Sequence, residues 1–194
     1  MPLISKTKVS DAANYGAVSV IFHWLTVLLL AVQYFVGLMM PHVGWGTRDA
    51  GLISWHLSFG AAILLLMSLR LLWRLLIGVP KGPAQPIWAN YLSRLVHCAL
   101  YVVVLSMTVL GWASASARGW DVRLFGTIAL PALVAKGTRW GFEAGDVHSV
   151  LAYALLILIV VHVLGAIYHV VVLRDRSLNG MLGVRITDKR LKRE

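Results

Sequence analysis

Four long apolar runs constrain this chain more than any other feature. They cover about residues 17–39, 51–77, 91–113 and 147–173. Each meets the requirement of roughly 20 apolar residues for crossing ~30 Å of hydrocarbon as a helix. Lipid offers no partner to a free backbone N–H or C=O, so a lone spanning segment must close its own hydrogen bonds as a helix. The β-branched stretch Val102-Val103-Val104 therefore does not argue for a strand. The expected fold is all-α, a four-helix transmembrane bundle forming one domain over residues 1–194. Composition agrees: 59% of residues are hydrophobic and 13% charged, where a soluble domain carries about 25% charged residues. Lys6 and Lys8 precede the first run, but no small-residue cleavage site follows it, so it reads as a span and not as a removable signal.

The formal charge of +10 would suggest nucleic acid in a soluble protein. Here the cations sit between and after the apolar runs, which makes them topology signals; no nucleic-acid partner is expected. An even number of spans puts both termini on one side. Thirteen of the eighteen Lys and Arg residues fall on that side, which places both termini in the cytoplasm. Residues 40–50 then form a short outer turn with Pro41, Gly44 and Gly46, and residues 78–90 an inner loop rich in Gly and Pro. Residues 114–146 form the longest connection, facing outward, where long loops are often functional. Residues 174–194 form a basic tail suited to anionic lipid heads. The eight tryptophans mostly fall near span ends, as interfacial anchors do. The single cysteine, Cys98, excludes an internal disulfide, and a zinc or iron–sulfur cluster built from this chain alone. It also excludes a Cys-x-x-Cys-His haem attachment, so any haem would be held non-covalently.

Six of the seven histidines lie within or at the ends of the spans: His23, His56, His97, His148, His162 and His169. His42 alone reads as a loop residue. One imidazole in hydrocarbon is commonly a satisfied helix–helix contact; six in four spans argue for ligands facing the bundle interior. Depth sorts them into two levels. His56 and His148 lie near the outer end, whereas His23 and His162 lie near the inner end. Fourteen residues separate His148 from His162, which is ~21 Å of rise and within ~40° of whole turns, so the two share one face. His169 shares it too. Arg70 lies 14 residues after His56, where its guanidinium suits a haem propionate. Gly37 lies 14 after His23 and Gly111 14 after His97; glycine there permits close approach to a flat macrocycle, or ordinary small-residue helix packing. A small-metal site draws three or four ligands to one point. Two separated levels of opposed imidazoles instead fit two plates with two axial ligands each, that is, two non-covalent b-type haems. His97 lies at nearly the depth of His23, and spacing alone leaves both as candidates for the inner ligand. A hydrogen bond to a propionate, to backbone or to a quinone is the other reading of His97.

At this point the sequence resembles the bacterial cytochrome b561 family along nearly its whole length. The resemblance rests on Ile21-Phe22-His23-Trp24, on Trp55-His56 followed by Gly60, and on Arg70-Leu71-Leu72-Trp73-Arg74. It continues through Leu124-Phe125-Gly126 followed by Pro131, and ends on His148, His162 and Gly165-Ala166-Ile167-Tyr168-His169. It implies a bacterial inner-membrane diheme protein with ligands from helices one, two and four, which selects His23 over His97 as the partner of His162. The chain has Gly180-Met181 where relatives often carry an arginine before the methionine.

The expected function is electron transfer between an outer, periplasmic donor and the quinone pool. The resemblance extends to superoxide oxidases, which take an electron from superoxide and reduce ubiquinone. Arg118, Arg123, Lys136 and Arg139 would steer a small anion towards the outer face or merely decorate an exposed loop. His169 suits a quinone site or a propionate. The alternative is a haem-bearing anchor subunit of a larger dehydrogenase. A small transporter would require acidic residues inside the spans, and none of the eight Asp and Glu residues lies well inside one.

Overall fold

The computed structural model describes residues 16–44, 46–78 and 86–172. The basic tail, Gly180-Met181 and the inner-loop segment 79–85 lie outside the described residues. Four helices make up the fold: α1 (Ala17–Met39), α2 (Leu52–Ile77), α3 (Ile87–Arg118) and α4 (Arg139–Val171). All four are long and apolar enough to span a membrane. Outward-facing side chains such as Leu28, Leu38, Leu76, Leu95 and Ile157 are more than half exposed. In water that surface would be a large association patch; in a bilayer it is the lipid face.

α3 and α4 run further than the apolar stretches that announce them. The helical connection 114–118 and 139–146 carries Arg118, Arg139, Glu143 and Asp146, and so reads as loop by hydropathy. Small residues explain why it is helical. A methyl at Gly141 would come within 2.5 Å of Ala117 Cβ and 3.3 Å of the Ala113 carbonyl, and one at Gly145 within 2.5 Å of Ser114 Oγ. Gly141 and Gly145 form a small-xxx-small face that lets two backbones touch. Ala113, Ala115, Ala117 and Ala144 are buried along this seam. At 1.5 Å per residue α3 is about 48 Å long, so the α3–α4 pair extends past the hydrocarbon.

The remaining connection, on the side that the charge pattern makes the outer one, begins at Gly119, whose φ of 75° ends α3 in a left-handed cap. It carries a two-stranded hairpin, β1 (Arg123–Leu124) and β2 (Ile128–Ala129), paired antiparallel. Phe125 and Gly126 both have positive φ, 46° and 72°, closing the turn with Thr127 N–H donating to the Leu124 carbonyl at 3.0 Å. Positive φ is costly for phenylalanine. Its ring packs edge-on against Phe59 at 5.8 Å, and Phe59 stacks on Trp55 at 5.7 Å. The Ser58 hydroxyl donates to the Arg123 carbonyl at 2.7 Å. These contacts hold the hairpin over the outer end of α2.

The helices pack in chain order: α1 on α2, α2 on α3, and α3 on α4. No comparable backbone seam joins α4 to α1 or α2 among the described residues. That gap is bridged by side chains. The Tyr34 hydroxyl on α1 donates to the Ala152 carbonyl on α4 at 2.7 Å. Ile63, Met67, Val104, Met107 and Leu155 form the central core, with Leu30 packed against it.

Candidate functional site

Each helix carries a polar or glycine position, a large apolar residue seven later, and another polar or glycine position seven later again. α1 has His23, Leu30 and Gly37; α2 has His56, Ile63 and Arg70. α3 has His97, Val104 and Gly111; α4 has His148, Leu155 and His162. Seven residues advance a helix by about 10 Å and nearly two turns, so each triplet shares a face. The antiparallel order then builds three levels. Ile63, Val104 and Leu155, the three largest fully buried side chains, all belong to the middle one.

The outer level joins His56, His148, Gly37 and Gly111. The His56 and His148 rings are 6.0 Å apart by centroid, with planes at 79°. They meet across the wide seam between α2 and α4. His148 Nδ1 lies 2.8 Å from the Met107 carbonyl. A carbonyl only accepts, so Nδ1 carries the proton and Nε2 keeps its lone pair. Gly111 makes room for this ring: a methyl there would lie 2.8 Å from Nδ1 and 3.0 Å from Cε1. Gly37 faces His56 more loosely, at 3.5 Å. The glycines at 14-residue spacing thus abut imidazoles.

The inner level joins His23, Arg70, His97 and His162. The His23 and His162 rings are 6.4 Å apart, again across the open seam, with planes at 65°. Arg70 Nη2 lies 3.2 Å from His23 Nδ1, and its guanidinium lies 5.7 Å from the Tyr101 ring centre. His97 approaches His162 more closely, at 5.1 Å. It does so from α3, the helix already packed along α4, with Ser93 Oγ 3.4 Å from its Nδ1. His169 stands seven residues deeper on α4, its ring against Tyr168, which packs on Trp88. Among the described residues no group of three or more His, Cys, Asp or Glu side chains converges as a metal cluster.

Sequence reading missed Gln33. Its amide nitrogen lies 3.2 Å from His56 Nε2 and 3.1 Å from the His56 carbonyl, and the side chain is buried. A signal was present, since Gln33 is the one side-chain amide within the four apolar runs.

The outer cations are less free than their sequence positions suggest. Arg123 pairs with Asp121 at 3.2 Å and Arg139 with Glu143 at 2.9 Å. Arg118 donates to the Gly44 carbonyl and lies over Trp120 and Phe142. The Lys136 stem lies against Gly119. A cavity of about 430 Å³ under the hairpin is lined by Trp55, Ser58 and Arg123 together with Asp49 and Asp121. Its two carboxylates outweigh its one cation.

The comparisons with known proteins agree with this architecture. Residues 14–184 match the family model for prokaryotic cytochrome b561. The chain is 29% identical to cytochrome b561 homolog 2 of Escherichia coli, over 90% of this chain and 94% of that protein. It is 28% identical to a probable superoxide oxidase CybB of Yersinia pestis, over 87% and 96% respectively. It is also 27% identical to a cytochrome b562 of Cereibacter sphaeroides, over 89% and 97%. This chain belongs to the prokaryotic cytochrome b561 family, as a bacterial membrane protein of electron transfer built to bind b-type haem.

Proposed function

We propose that the chain holds two b-type haems, the outer between His56 and His148 and the inner between His23 and His162, and passes electrons between an outer-face donor and the quinone pool. One observation carries this reading: two imidazole pairs oppose each other at 6.0 and 6.4 Å, between α4 and the helices α1 and α2 with which it shares little backbone contact among the described residues. Metal–imidazole bonds of about 2 Å on opposite sides of one ion put ring centres roughly 6 Å apart. His97, at 5.1 Å and on the helix packed beside α4, fits a neighbour of His162 better than its partner across a plate. Held by these histidines, each haem would supply a one-electron couple.

The protein's own groups do the rest. The Met107 carbonyl orients His148 by accepting from Nδ1–H, as outer-shell partners of metal-bound histidine do. Arg70 brings a fixed cation to the inner level, where it would pair with a propionate. The middle layer of Leu30, Ile63, Val104 and Leu155 keeps water from the space between the levels. The excess of Lys and Arg on the segments assigned to the inner side supports a cytoplasmic position for both termini. His169, seven residues beyond His162 on α4, is the candidate contact for a quinone at that end of the bundle. Likeness to a protein named as a probable superoxide oxidase supports superoxide as the outer donor, although the pairing of Arg123 and Arg139 leaves Arg118 and Lys136 as the cations of the outer loop with no carboxylate partner among the described residues.

Purified protein from haem-replete cells should contain two extractable haems per chain and show a low-spin b-type spectrum. Replacing His148 or His162 by Ala should each remove one haem and leave the other. Retention of both in either variant sinks the assignment. Mixing oxidised protein with superoxide in a stopped flow should reduce the haems, and haems that stay oxidised would rule out superoxide as donor.

A further inference from the structure

Gln33 is a buried amide at the outer level of a membrane bundle, where a polar side chain needs a physical reason to be. Its nitrogen makes two contacts, both to His56. One is to the backbone carbonyl at 3.1 Å, which only accepts, and this fixes which end of the amide is nitrogen. The other is to the ring Nε2 at 3.2 Å. An amide nitrogen only donates, so Nε2 is the acceptor and the proton of the neutral ring sits on Nδ1. Two buried atoms are then left without a partner among the described residues: His56 Nδ1 and Gln33 Oε1. One is a donor and the other an acceptor, and both belong to the same pair of side chains. Each buried, unpaired polar atom costs about 1–3 kcal/mol. His148, across the seam, shows what is missing, because its Nδ1 already has the Met107 carbonyl.

Resting on the reading of His56 as an outer haem ligand, we propose that Gln33 is the positioning residue for that imidazole, with its side-chain carbonyl accepting from His56 Nδ1–H once Nε2 is taken by iron. The Gln33 nitrogen keeps the His56 carbonyl, so the amide stays anchored while the ring turns. The exchange satisfies both orphaned atoms and releases the Nε2 lone pair for the metal. It also makes the ligand more basic, because a histidine that donates its second N–H to an acceptor binds metal more strongly. A more basic ligand favours ferric over ferrous iron and lowers the reduction potential of the outer haem alone.

The test is a redox titration of the full-length, haem-loaded protein, with low-temperature electron paramagnetic resonance of the ferric state. Gln33→Met keeps the volume and removes the acceptor. Gln33→Glu supplies a stronger acceptor. The Met variant should raise one of the two midpoint potentials, by about 59 mV for a roughly tenfold change in the ferric-to-ferrous affinity ratio. The Glu variant should lower the same one, and its sign alone decides the matter if the Met variant does not assemble. Arg70→Lys, a change at the inner level, marks the inner haem. The inference is overturned if neither potential moves, if both move together, or if the moving one is that marked by Arg70→Lys. Wild-type protein with fewer than two haems would instead sink the diheme reading on which it rests.

Discussion

At the scale of single residues, the outer level is set by how closely backbone approaches imidazole. Gly111 and Gly37 occupy equivalent places in their helices, yet only one is sterically obligatory. A methyl at Gly111 would press on the His148 ring at 2.8 Å, against a nitrogen already tied to Met107, whereas one at Gly37 would meet His56 at an ordinary 3.5 Å. Gly111→Ala should therefore weaken outer haem binding by roughly tenfold, the lower end of what a disturbed outer-shell contact costs. Gly37→Ala should bind both haems normally. Haem-to-protein ratios of the two purified variants measure the difference, and equal ratios would show that His148 has slack the geometry does not suggest. The 14-residue spacing of these glycines from histidines is visible in the sequence. What they face is not, because that depends on the register of a neighbouring helix.

At the scale of elements, the α3–α4 pair is the rigid part of the bundle. Its outer half relies on Gly141, Gly145 and the alanines opposite, with no large side chain to yield. Gly141→Leu should overpack the seam and cost about 1–3 kcal/mol, seen as a lower unfolding temperature in detergent. A variant as stable as the parent would mean that the two helices separate there without loss. Hydropathy placed the ends of these spans near residues 113 and 147, because the charged residues beyond them look like loop. Close packing of small residues continues the helices regardless, to Arg118 and from Arg139. The α1 and α2 boundaries were easier to read, since Pro41, Gly51 and Gly78 stand next to the ends of the apolar runs.

At the scale of the whole molecule, two polar levels are separated by an apolar layer drawn from all four helices. Leu155, fully buried at its centre, lies seven residues from both His148 and His162. Leu155→Ala should cost about 2–5 kcal/mol through the cavity it leaves, lowering the temperature of haem loss while the haem content at low temperature stays at two. Loss of one haem at all temperatures would show instead that Leu155 shapes a site directly. α4 is held to α1 by side chains across the seam, Tyr34 to Ala152 among them. The proposed ligands thus face each other where the helices share the least backbone contact, which is where a plate-like cofactor would have to enter.

Sequence alone determined the solvent, the helical fold, the family and the two levels of histidine. These follow from local quantities: the length of an apolar run, the cost of an unpaired backbone group in lipid, and the 3.6-residue turn. What spacing along the chain left open, which inner ring stands across from His162 and which beside it, is a matter of tertiary structure. His23 and His97 have equal depth, and only the packing of α3 along α4, with α1 across the gap, distinguishes a ring opposite His162 from one beside it. The same holds for Gln33, whose meaning lies in a histidine 23 residues away. Periodicity along one helix specifies a face and a depth; which helix that face meets is a property of the assembled bundle.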